Sequence, residues 1–73
     1  MLQCSIPFEL GLSEAVILKV IDFNGKVIRV IKGDFEKGNN EIKLINLNGN
    51  GIFYYQLETS EKTLIKKMIL VNQ

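Results

Sequence analysis

No histidine occurs anywhere in the chain. The commonest general base near neutral pH and the commonest metal ligand are therefore missing. There is one cysteine, Cys4, so neither an internal disulfide nor a thiolate zinc site can form. No cation flanks Cys4 closely enough to lower its pKa, and it reads as a small apolar strand residue rather than a reactive or lipidated thiol. The formal net charge is +1 at pH 7, which gives no field of one sign and no support for nucleic-acid binding. No run of eighteen apolar residues exists, so no transmembrane segment is expected. Met1 leads at once into strand-like alternation without a basic start, so an export signal would lie elsewhere.

What is present is apolar: 47% of the 73 residues are hydrophobic, and Ile and Leu dominate. That length suits one domain, and the composition can build a packed core. Residues 1–73 are expected to be a single domain.

The pattern along the chain is period two, broken by turn residues. Cys4, Ile6, Phe8 and Leu10 share one face of a first strand, and Pro7 within it demands an edge position because proline cannot donate to a ladder. Ala15 to Phe23 is almost wholly apolar, as in a strand buried on both faces. A helix capped by Ser13 is the rival, but the run is short, β-branched and stops at Asn24-Gly25. That dipeptide predicts a type I′ hairpin into a strand from Lys26 to Lys32. Gly33-Asp34 is expected to end it, with Phe35 alone as a plug over one end of the core. Lys37-Gly38-Asn39-Asn40 reads as a turn, Glu41 to Ile45 as a strand, and Asn46 to Gly51 as a loop. Ile52 to Thr59 and Lys62 to Val71 alternate cleanly on either side of a turn at Ser60-Glu61. Regular short strands of this kind predict an immunoglobulin-like antiparallel β-sandwich of six or seven strands.

Chemistry is scarce. Asp22 interrupts an apolar strand just before the hairpin and is expected to accept hydrogen bonds from that turn. Asn48-Gly49-Asn50-Gly51 lacks the acids of a calcium loop and the Lys-Ser/Thr of a phosphate loop. The run Phe53-Tyr54-Tyr55 splits across two strand faces, which favours core packing over stacking on a ligand. No catalytic residue, metal site or cofactor is expected, and the chain does not read as an enzyme. Lys66-Lys67 has two readings: lysines that guard an edge strand, or a terminal strand offered to a partner by strand addition. Self-association through that last strand is a further possibility.

The order of these features is that of a known family. Phe8-Glu9-Leu10 precedes Val16 to Phe23, then Asn24-Gly25-Lys26-Val27-Ile28. Lys37-Gly38-Asn39-Asn40-Glu41-Ile42 follows, then Gly51-Ile52-Phe53-Tyr54-Tyr55, and the chain closes on Lys66-Lys67-Met68-Ile69-Leu70-Val71. This resembles the C-terminal sorting domain of type A found on proteins exported by the type IX secretion system of Bacteroidetes, over essentially the whole chain. It departs from the family at Met1-Leu2-Gln3, where an Asn-Pro turn is usual, at Asn50, where Ser is usual, and at Phe53, where Tyr is common. The resemblance implies that residues 1–73 are the C-terminal piece of a longer secreted protein, an immunoglobulin-like sandwich behind an upstream cargo domain. It implies recognition by an outer-membrane secretion translocon, removal by a sortase-like peptidase, and export through the periplasm to the cell surface or extracellular space. By motif match, Gly51 and Lys66, Lys67, Met68, Ile69, Leu70 and Val71 would carry recognition. The alternative is a structural or adhesive immunoglobulin-like accessory module that binds carbohydrate or protein.

Overall fold

Period-two alternation becomes six strands: β1 (Leu2–Leu10), β2 (Glu14–Ile21), β3 (Val27–Phe35), β4 (Gly38–Leu47), β5 (Gly51–Glu58) and β6 (Thr63–Leu70). The computed structural model describes residues 2–47 and 51–70, and no helix occurs among them. The strands form two antiparallel sheets, a pair β1-β4 and a four-stranded sheet in the order β3-β2-β5-β6. The result is an immunoglobulin-like β-sandwich. The chain enters on the small sheet, crosses to make the β2–β3 hairpin, returns for β4, and crosses again for the β5–β6 hairpin.

The core is what alternation predicts. Ile6, Phe8 and Leu10 of β1 and Ile42 and Leu44 of β4 face Val16, Leu18 and Val20 of β2 and Phe53 and Leu57 of β5. Burying each such side chain is worth about 1.5–3 kcal/mol. Within the four-stranded sheet the register aligns Ile31, Leu18, Leu57 and Leu64 in one inward layer that crosses all four strands. Pro7 lies in β1, half of a two-stranded sheet, so it occupies the edge position expected of it.

Several expectations need correction. β2 is central but not buried on both faces. Val16, Leu18 and Val20 are buried, whereas Ile17, Lys19 and Ile21 are half-buried on a face that no other sheet covers among the described residues. The apolar run reflects the centre of a sheet with one open side. The β2–β3 turn is not a two-residue loop on Asn24-Gly25. The Gly25 amide donates to the Asp22 carbonyl at 3.0 Å and the Asp22 amide to the Lys26 carbonyl at 2.8 Å. The loop is therefore Phe23-Asn24-Gly25, with Gly25 at φ 85°. Asp22 decides this, as expected of it: its Oδ1 accepts the amides of Asn24 and Lys26, each at 2.9 Å. Phe23 leaves the strand and stands 73% exposed.

Gly33-Asp34 does not end β3, which runs on to Phe35. Phe35 does pack against the core, its ring edge-on to Phe8 at 5.2 Å, but as the last residue of a strand. β4 starts at Gly38 rather than Glu41 and extends through Leu47. Gly38 takes φ 107°, and the Asn40 side chain donates to the carbonyls of Glu36 and Gly38. This shortens the expected turn at Lys37-Gly38-Asn39-Asn40. Of the expected loop from Asn46 to Gly51, Asn46 and Leu47 belong to β4 and Gly51 opens β5; residues 48–50 lie outside the described residues.

One end of the sandwich is tied together by side chains. The Lys37 amide donates to Ser13 Oγ at 3.1 Å, and the Ser60 amide to Glu14 Oε1 at 2.6 Å. Connections from three parts of the chain thus converge where β2 begins.

Candidate functional site

The β5–β6 hairpin is built from its turn outward. The Thr59 amide donates to the Lys62 carbonyl at 2.9 Å, and Thr59 Oγ1 accepts the amides of Glu61 and Lys62 at 3.3 and 3.2 Å. From there the two strands pair without interruption, from Glu58 opposite Thr63 to Gly51 opposite Leu70. β6 has β5 on one side and, among the described residues, no strand on the other. In an antiparallel pair alternate residues turn their N–H and C=O groups away from the partner, so along the whole of β6 those groups face solvent.

The side chains of β6 divide as alternation predicts. Leu64, Lys66 and Met68 lie opposite Leu57, Tyr55 and Phe53 and point inward, while Ile65, Lys67 and Ile69 lie opposite Gln56, Tyr54 and Ile52 and point outward. Coverage is thin. Met68 is half-buried and packs against the core; Lys66 and Lys67 are exposed. Ile65 and Ile69 are 63% and 65% exposed. Leu70 is placed in the strand opposite Gly51, which has φ 118°. Val71 lies outside the described residues. The residues carried over from the family motifs thus come together as far as they are described: Gly51 is the cross-strand neighbour of Leu70 at the end of β6, although it lies nineteen positions earlier in sequence.

Electrostatically this edge is of one sign. On the outward face Lys19 Nζ pairs with Glu58 Oε1 at 3.4 Å, and the same oxygen accepts Gln56 Nε2 at 2.6 Å. Glu58 lies opposite Thr63, four positions from Lys67. Among the described residues neither Lys66 nor Lys67 has an ion-pair partner.

Ile65 shares the outward face with Lys67 and Ile69, as the alternation of Lys62 to Val71 predicts. One feature went unnoticed in the sequence: a cleft of about 130 Å³ between β1 and the inward side of β6, lined by Pro7, Glu9, Tyr55, Leu64 and Lys66 among others. It exists because a two-stranded sheet cannot cover a four-stranded one, and no pattern along the chain announces that offset. As for other chemistry, no group of three or more His, Cys, Asp or Glu side chains gathers among the described residues. Phe53 is buried, Tyr55 half-buried and Tyr54 at the border of exposure, so the aromatic run packs mainly into the sandwich.

Comparison with protein families matches the chain to the secretion system C-terminal sorting domain over residues 3–72. Comparison with curated proteins and with solved structures returns no match.

Proposed function

The chain belongs to the family of secretion system C-terminal sorting domains, and from that premise we propose that it is the export tag of a longer secreted protein, read through the free edge of β6. Members of this family are sorting signals for type IX secretion, which delivers proteins to the cell surface or the extracellular space. On this reading an upstream cargo crosses the inner membrane, folds in the periplasm, and is engaged by the outer-membrane translocon, which recognises Gly51 and Lys66 to Val71. A sortase-like peptidase then separates tag from cargo.

The observation that supports this most is the edge itself. β6 is long and regular, is exposed along nearly its whole length, and carries unpaired main-chain groups beside apolar side chains. Soluble proteins avoid such edges unless a partner uses them. The domain also offers a stable body on which to display the strand, since the core lies on β1, β2, β4 and β5.

A fusion tests the proposal. Residues 1–73 are placed after a periplasmic reporter in a strain with a working type IX system. The reporter is expected outside the cell, and removal of residues 66–73 is expected to hold it in the periplasm. A reporter that stays periplasmic, while an established sorting domain exports it, overturns the reading. An accessory module would instead bind glycan or protein independently of residues 66–73.

A further inference from the structure

The lysines of β6 specify more than an open edge. Lys66 and Lys67 are adjacent, so in a strand their side chains project to opposite faces, Lys66 beside Tyr55 and Lys67 beside Tyr54. Each is flanked along its own face by apolar residues: Leu64 and Met68 inward, Ile65 and Ile69 outward. Among the described residues neither forms an ion pair, although Glu9 lines the same cleft as Lys66. An added strand is therefore read on both of its faces at once. We infer that the free edge of β6 takes an extended protein segment whose centre is two adjacent acidic residues flanked on both sides by apolar ones. The inference rests on the proposed reading of β6 as the recognised edge and names the chemistry of what it recognises.

The charge argument selects this occupant over a second copy. If two β6 strands paired antiparallel about Lys66 or Lys67, identical ammonium groups would stand directly opposite one another, which is destabilising. A single acid on the partner would answer one lysine and leave the other facing apolar surface. Two adjacent acids answer one on each face, whichever way the added strand runs. The neighbouring edge of β1 is a poorer acceptor because Pro7 brings no N–H.

The test is peptide binding to the 73-residue chain. Three labelled eight-residue peptides share the same Val/Ile flanks and differ at their two central residues: Glu-Glu, Gln-Gln or Lys-Lys. Fluorescence anisotropy is expected to rank them in that order. Two favourable cross-strand pairs should separate Glu-Glu from Gln-Gln by about two- to thirtyfold in Kd. That gap should narrow as sodium chloride rises. The double variant Lys66→Glu/Lys67→Glu should reverse the ranking and favour Lys-Lys. Both lysines are exposed, so circular dichroism should show the variant folded; were it unfolded, Lys66→Gln/Lys67→Gln, expected to erase the ranking, serves in its place. Amide chemical-shift changes should centre on residues 64–69.

Equal binding of the three peptides, binding of none, or shifts centred elsewhere overturns the inference. So does a dimer in sedimentation that the Glu-Glu peptide fails to dissociate. The two readings fail separately. A domain that exports its reporter yet binds the peptides alike loses the acidic-partner inference alone. One that prefers Glu-Glu yet exports nothing loses the sorting proposal and the biological role of this edge, while its chemical preference stands.

Discussion

The four-stranded sheet ends in two edges of nearly equal length, and they are finished differently. β3 carries charge of both signs, Arg29, Lys32 and Asp34, and its pairing with β2 slips between Val20 and Ile21, so that Ile21 meets Val27 rather than Ile28. Such a bulge twists an edge and spoils it as a template. β6 has no slip, no proline and no acid; its charge is Lys66 and Lys67 alone. The inward sides differ too. Ile31, Gly33 and Phe35 of β3 are half-buried, whereas Leu64 and Lys66 of β6 are exposed. One edge combines a bulge with charge of both signs, whereas the other is regular and carries the lysine pair as its one protective device. An exposed edge in a small domain is therefore no accident of size here, because the same sheet shows the alternative.

The layer Ile31–Leu18–Leu57–Leu64 runs from one edge to the other and tests this comparison. The largest effect is expected at its centre. Leu57→Ala, at a side chain 2% exposed, should cost about 2–5 kcal/mol in urea unfolding. A loss under about 1 kcal/mol would mean that the two hairpins are not packed as one sheet. The two ends of the layer should then differ from each other. Ile31→Ala on β3 should cost about 1–2 kcal/mol and Leu64→Ala on β6 less than about 1, in proportion to the apolar surface each buries. Equal losses, or a greater one at Leu64, would erase the distinction between a covered edge and an open one. The smallest effects belong to the turns. Asp22→Ala removes two charge-assisted hydrogen bonds from the hairpin that carries β3; Thr59→Ala removes neutral, longer ones from the hairpin that carries β6. The first should cost on the order of 1–2 kcal/mol and the second about half as much, read as shifts in the midpoint of thermal unfolding. A reversed order would place the better-fastened turn on the open edge.

Much of this molecule could be read from its sequence, because period two is a strong signal wherever one face is buried. The inward sets Ile6-Phe8-Leu10, Phe53-Leu57 and Ile42-Leu44 needed nothing else. The reading failed where a side chain outside the alternation decided the outcome. Asp22 lengthens a loop that Asn24-Gly25 alone would have kept to two residues, and Asn40 lets β4 begin within an apparent turn. It failed again at β2, where an apolar run was taken for double burial; a central strand with one open face carries the same composition. For the candidate site, alternation divided the faces of β6 correctly, but motif order alone linked Gly51 to the last strand. Their adjacency is a product of antiparallel register, which only the folded chain displays. The cleft beside β1 depends on how two sheets of unequal width overlap, a property of no single segment.

The sheet order also sets the entropy of assembly. β2–β3 and β5–β6 each close through a short loop, whereas the seam between them pairs Ile17 with Glu58 and Ile21 with Tyr54. Closing that seam encloses β3 and β4. Loop-closure entropy grows only slowly with length, about 0.6 kcal/mol for each doubling, yet it must be met before any seam contact repays it. Two local hairpins and one distant seam make a chain whose open strand is held by its nearest neighbour in sequence. β6 depends on β5 for its shape and on the seam for its foundation, so opening the seam leaves the β5–β6 register locally encoded but removes the sheet against which that hairpin rests.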